Sequence, residues 1–179
     1  FDTYFRNSEK FFEDFNNLLE LAGNAGMTVL PALINDKYAL RNQDALVSYV
    51  ADMIGRYDKD ARIMAWDLYY KPCTQSVDRG RVAELLPLLF SAAREAFATK
   101  PVFATPTVST TAFPADFDYI DQLVHGGGEA GWNRLEYANS SVEMCYDIWC
   151  MSDVIAYASS QDAPELGWLN SVASVSYTH

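Results

Sequence analysis

Any chemistry in this chain would rest on tyrosines, hydroxyls, amides and a few scattered charges. The residues that could present it follow four short apolar runs. Asn35, Asp36, Lys37 and Tyr38 follow the first, and Tyr69, Tyr70, Lys71 and Pro72 the second. Thr107, Ser109 and Thr110 follow the third, and Ser159, Ser160 and Gln161 the fourth. Such a mixture suits sugar rings, whose apolar faces stack on aromatic side chains and whose hydroxyls need fixed donors and acceptors. If the runs are neighbouring strands, spaced roughly 4.8 Å apart, the rings of Tyr38 and Tyr70 can flank one pyranose. Asp36 would accept sugar hydroxyls, and Lys71 would donate to them or neutralise Asp36. Tyr157 is a further candidate, with Ala156 and Ala158 competing for its inward position. The expected binding set is therefore Asp36, Tyr38, Tyr70, Lys71 and Tyr157.

Other chemistries find less support. Glu129 and Glu136 are not spaced as a catalytic pair and read as solvated carboxylates. The glycine run at 125–131 (HGGGEAG) follows no strand, so it reads as a connector rather than a phosphate loop. No Gly-x-Gly-x-x-Gly or Walker loop is present, and no cofactor is expected. Three cysteines, Cys73, Cys145 and Cys150, make an odd set for a disulfide framework. Two histidines, His125 and His179, with no Cys-x-x-Cys or His-x-x-x-His, leave no zinc pattern. No Asp-x-Asp-x-Asp-Gly calcium loop occurs either, so no metal site is expected.

Charge narrows the partners. The chain has 13 basic and 24 acidic residues, a net charge of −11 and a pI near 4.4. Residues 1–100 hold 14 acids and 12 bases, whereas 101–179 hold 10 acids and only Arg134. Binding a phosphate backbone needs an excess of positive charge, so a nucleic-acid partner is not expected, and an anionic membrane surface is disfavoured likewise. No run of 18 apolar residues is present. A start at Phe1, without Met or a basic-then-apolar leader, is what a processed protein or an excised piece would show, and it leaves localisation open.

Helix and strand signals alternate along the chain. Helical periodicity covers 8–25, with Ser8 as cap, and 44–57, with Asp44 as cap. It returns at 81–98, where Pro87 fits best near the first turn after a short lead-in, and at 116–124, 133–150 and 164–172. Apolar strands are expected at 27–33, 63–69, 102–108 and 154–158. Near-continuous apolar strands between helices mean a parallel sheet covered by helices. Phe11, Phe15, Leu18, Val50, Met53, Ile54, Leu85, Leu88, Leu89 and Phe97 are expected to face that sheet. Period two puts Asp67, Tyr69 and Lys71 on one strand face, where Lys71 is expected to pair with Asp67 or Asp36. Trp66 would face the helices.

Residues 60–72 read D-A-R-I-M-A-W-D-L-Y-Y-K-P. This resembles the fourth barrel strand of cellulase-type glycoside hydrolases (family five and its relatives), roughly D-x-R-V-x-x-W-D-L-x-N-E-P. Residues 21–36 (LAGNAGMTVLPALIND) are similar to the third helix-to-strand passage, 85–89 (LLPLL) to the next helix start, and 152–166 (SDVIAYASSQDAPEL) to the sixth strand. The resemblance implies units three to six of a (β/α)8 barrel. It also implies an acid/base glutamate in the Asn-Glu-Pro turn and a nucleophile at the end of strand seven, as retaining chemistry requires. Here the Asn position is Tyr70, the Glu position is Lys71, the strand-six His aligns with Ala158, and the chain reaches His179 before a seventh strand. A solvated lysine stays charged to about pH 10 and cannot simply replace the acid.

The expected architecture is a single α/β domain over residues 1–179. Its parallel strands alternate with helices as a partial (β/α)8 (TIM) barrel, with an open flavodoxin-like sheet as the alternative. A whole barrel takes roughly 250 residues, so self-association or a partner chain completing the barrel is expected. Three functions follow from this frame. The first is a carbohydrate-facing relative without hydrolysis. The second is a glycosidase completed by another chain or by further sequence, and the third is a structural module.

Overall fold

The computed structural model describes residues 2–35, 41–72, 79–106, 142–156 and 158. Along them run α1 (Asp2–Arg6), α2 (Ser8–Asn24), β1 (Ala32–Asn35), α3 (Gln43–Tyr57), β2 (Trp66–Tyr70), α4 (Arg79–Glu95), β3 (Val102–Thr105) and α5 (Val142–Met151). The protein is α/β with a small parallel sheet, in the order β1-β2-β3. Such an arrangement fits an open α/β fold. A parallel Val29–Ile63 bridge leads into the β1–β2 pair.

β2 and β3 are buried along almost their whole length, on both faces. β1 starts only at Ala32, since Pro31 has no N–H to give, although its carbonyl accepts from the Asp67 amide at 3.1 Å. Trp66 and Leu68 alternate with Asp67 and Tyr69 across β2, and all four are buried. The Trp66 indole reaches Asp58 at the end of α3, which puts Trp66 and Leu68 on the helix side. There α3 and α4 pack on each other, and α5 packs on α4 and β3. The other face carries Ile34, Asp67, Tyr69, Phe103 and Thr105 by register and alternation, and these too are buried. Between Asp67 and Tyr70 the β2–β3 register shifts: three steps along β2 match two along β3.

Several expectations need correction. Asn7, not Ser8, caps α2, accepting from the Lys10 amide at 3.0 Å, and Asn42, not Asp44, caps α3, accepting from Ala45 at 3.2 Å. The cap thus lies one residue before the expected position in α2 and two before it in α3. Pro87 lies well inside α4, which runs through it with the ring on the exposed face. That placement forgoes one backbone bond. Leu18 and Leu88 are exposed, and so is Phe97, at 83%. The Phe97 position closes α4: its N–H donates to Arg94 O at 2.9 Å and the Ala98 N–H to Ala93 O at 3.1 Å. This closure holds Phe97 in the left-handed region, φ 59°. Gly26 ends α2 the same way at φ 70°, where glycine is the natural choice.

Helix α1 was not expected. It joins an aromatic cluster in which Tyr4, Phe5, Phe11 and Tyr49 meet edge-on or tilted, binding α1 and α2 to α3. Of the expected fourth strand, Ala158 donates its N–H to Pro106 O at 2.9 Å. Upstream, Asp153 accepts from the Val102 amide at 2.9 Å and returns its own N–H to Val102 O at 2.8 Å. This segment thus lies against the outer edge of β3. The expected helices at 116–124 and 164–172 and the glycine run at 125–131 lie outside the described residues.

Candidate functional site

Parallel α/β folds present ligands at the carboxyl ends of their strands. Two of the five expected binding residues, Tyr70 and Lys71, are described there. Asp36, Tyr38 and Tyr157 lie outside the described residues. Tyr70 is the last residue of β2 and is 40% exposed, unlike the four sealed residues before it. Lys71 follows it at φ 53°, a left-handed conformation costly for any residue with a Cβ. Its amide still donates to Thr105 O at 2.9 Å, so the ladder to β3 extends one residue past the strand. That turn breaks the strand alternation, and Lys71 does not share the Asp67 face as the period suggested. Its ammonium lies 5.2 Å from the centre of the Tyr70 ring, a cation–π distance.

No ion pair joins Lys71 to Asp67, which corrects the expected pairing on that side. Asp67 Oδ2 instead accepts from the Thr105 hydroxyl at 2.7 Å. Oδ1 is buried with no hydrogen-bond partner. Burial pushes the Asp67 carboxyl up to about 6, against the opposing pull of the Thr105 hydroxyl and the Tyr69 and Thr105 amides.

At the amino ends of the same strands the chemistry is the reverse. Asp58 accepts from the Thr99 hydroxyl at 2.5 Å and amide at 2.9 Å, the Trp66 indole at 3.2 Å and the Lys100 amide at 3.3 Å. Burial pushes this carboxyl up, but the four donors outweigh it and hold it at about 2. Asp60 is also held at about 2, chiefly by the Arg62 guanidinium, whose Nη2 donates at 2.6 Å. These groups tie the loop after α3 to the loop before β3 and read as structure. Composition had not singled out Asp58. The signal was available: Asp58 lies eight residues before Trp66, at the end of a helix whose partner strand carries a buried indole.

The described arrangement can hold a flat apolar ligand face against Tyr70 and offer it a cation from Lys71. It offers no acid/base pair, because the carboxyl nearest in sequence, Asp67, is sealed inside the sheet. Among the described residues no group of three or more His, Cys, Asp and Glu could hold a metal ion. Cys145 is a buried thiol and Cys150 an exposed one. No helix of the described residues is long and apolar enough to cross a membrane. Compared with known proteins, the chain matches no family model, no curated protein and no solved structure.

Proposed function

We propose that the protein is a glycoside-hydrolase-like barrel segment that faces carbohydrate without hydrolysing it. The observation that carries this reading is the carboxyl end of β2, where a half-exposed tyrosine and a left-handed lysine stand where the resembling enzymes place Asn and the acid/base Glu. The sequential strand order supports it, because consecutive parallel strands with both crossover helices on one face are the repeating unit of a (β/α)8 barrel. In this reading Tyr70 stacks on one sugar face, and Asp36, Tyr38 and Tyr157 add contacts from adjoining strand ends. Lys71 donates to ring hydroxyls. An amine at the acid/base position cannot supply one of the two carboxylates that the retaining mechanism needs.

Titration of cello- and manno-oligosaccharides against the chain, followed by tyrosine fluorescence and NMR, tests the reading. Binding is expected in the millimolar range, because an open site buries little of its ligand, with Tyr70 and Lys71 among the perturbed resonances and no reducing sugar released. Silence of both residues at saturating oligosaccharide refutes carbohydrate binding and leaves a structural module. Turnover abolished by Lys71→Ala refutes the loss of catalysis. A second copy or another chain completing the sheet belongs to the same proposal, and light scattering over a concentration series reads it directly. A monomer near 20.1 kDa throughout would count against a self-completed barrel.

A further inference from the structure

Asp67 is the one described carboxyl that is sealed from solvent, at 2% exposure, and still keeps an oxygen without a hydrogen bond. Its surroundings give an ionised form little support. On β1 the facing residues are Ala32 and Ile34. On β3 they are Phe103 and Thr105, whose hydroxyl is the one described side-chain donor, with the Thr105 and Tyr69 amides adding a weaker pull. On β2 the nearest titratable neighbour on that face is the Tyr69 phenol. The Lys71 ammonium, beyond the strand end, lies over the Tyr70 ring instead. No Lys, Arg or His among the described residues forms an ion pair with Asp67. A carboxylate divides its charge between two oxygens, and a buried, unpaired half of that charge is costly. A neutral acid leaves Oδ1 as an ordinary carbonyl oxygen, a far cheaper group to bury alone.

We propose that Asp67 is held as a neutral acid inside the sheet and that its ionisation is a proton-operated latch, loosening the β2–β3 pair at the carboxyl ends that present Tyr70 and Lys71. Asp67 meets Thr105 across the two strands at the register shift, so the cost of burying its charge, which the Thr105 hydroxyl offsets only in part, falls on that pair. Placed there, it acts where the ladder is irregular. The last described β2–β3 bond beyond it, Lys71 N–H to Thr105 O, ends in a left-handed residue. The inference does not depend on what the strand ends bind.

The direction of the effect follows from linkage. An acid with a folded-state value near 6 and an ordinary value of 3.8 binds more protons folded than unfolded between those limits. Stability is therefore fully present below about pH 4 and falls up to tenfold in the folding equilibrium per pH unit until about pH 6. The depressed carboxyls Asp58 and Asp60 act in a separate window, below their ordinary value of 3.8.

The deciding measurement is the side-chain carboxyl carbon of Asp67, followed by NMR through a pH titration of the unmodified chain. In parallel, hydrogen exchange is read at the Lys71 and Trp66 amides, corrected for the intrinsic rate. The expected midpoint lies near pH 6. Protection at Lys71 should fall by about tenfold or more between about pH 4 and pH 6 and level off above, while the Trp66 amide, bonded to Pro101 O at 2.9 Å at the other end of β2, changes less. In Asp67→Asn the pH dependence at Lys71 should vanish. A midpoint at or below about pH 4.5, near the ordinary value, overturns the proposal. So does unchanged Lys71 protection through the titration, and so does the same pH dependence in a folded Asp67→Asn chain. If that variant does not fold, the two measurements on the unmodified chain decide alone.

Discussion

Asp58 and Asp67 are both nearly sealed from water, at 4% and 2% exposure, yet they are driven in opposite directions, one to about 2 and the other to about 6. Burial acts on both in the same sense. Four donors decide for Asp58, whereas Asp67 has one side-chain donor and an orphan oxygen. The contrast follows the two ends of the strand layer. The amino ends are closed by a satisfied network, and the carboxyl ends hold an unsatisfied acid, a left-handed lysine and an exposed tyrosine. Unsatisfied groups cost stability, so their concentration at one end marks where the fold has not been optimised for stability alone.

The sharpest way to break the contrast is Asp58→Ala. It leaves the Trp66 indole and the Thr99 and Lys100 donors without their acceptor, and it should cost about 3–5 kcal/mol at neutral pH by urea unfolding. In the unmodified chain, Asp58 and Asp60 lend stability above their ordinary value, lost as pH falls toward 2. An Asp58 variant should therefore show a shallower acid limb. A loss under about 1 kcal/mol would show that the amino-end network is decorative.

Thr105→Val comes next. It removes the only side-chain donor to Asp67 among the described residues, and should cost about 1–3 kcal/mol at pH 7.5, above the Asp67 value of about 6, and less near pH 4. An equal loss at both pH values would show that the hydroxyl serves packing rather than charge.

The smallest effects concern the two left-handed side chains. Phe97→Gly should gain up to about 1 kcal/mol, since the ring is exposed and glycine suits the helix closure. Lys71→Gly should gain by the same backbone argument, but it should also weaken whatever oligosaccharide binding Tyr70 supports. If Lys71→Gly binds sugar as the parent does, the lysine serves neither ligand nor ring.

Much of the layer was legible because periodicity reports burial. Leu89, Val50, Met53 and Ile54 sit where the helical stripe put them. Leu88 and Leu18 do not, because a one-residue rotation around the helix moves a side chain from core to solvent, and an apolar list cannot fix that phase. The caps slipped for a related reason. Asn7 stands beside Ser8, and Asn42 two residues before Asp44, so several good capping residues were available and backbone angles chose among them. Trp66 on the helix side followed from strand alternation. Lys71 escaped the same rule because alternation ends where a strand turns left-handed, and nothing in the residue type announces that turn. The polarity of the strand ends was visible in composition. The orphan oxygen of Asp67 was not, since it depends on a register shift that only three-dimensional pairing reveals.

The Trp66 indole also gives the molecule a built-in optical gauge. It is wholly buried, and its N–H is fixed on a carboxylate that stays charged across the neutral range. Its emission should therefore lie at short wavelength and stay constant while Asp67 titrates, moving red only when the amino ends come apart. Trp149, half-buried and donating to Ala156 O at 3.1 Å, gauges the segment beside the edge of β3. The chain has four tryptophans, so variants that keep Trp66 alone or Trp149 alone, the others replaced by phenylalanine, would separate the two signals, and the order in which the sheet opens can be read as a sequence of colours.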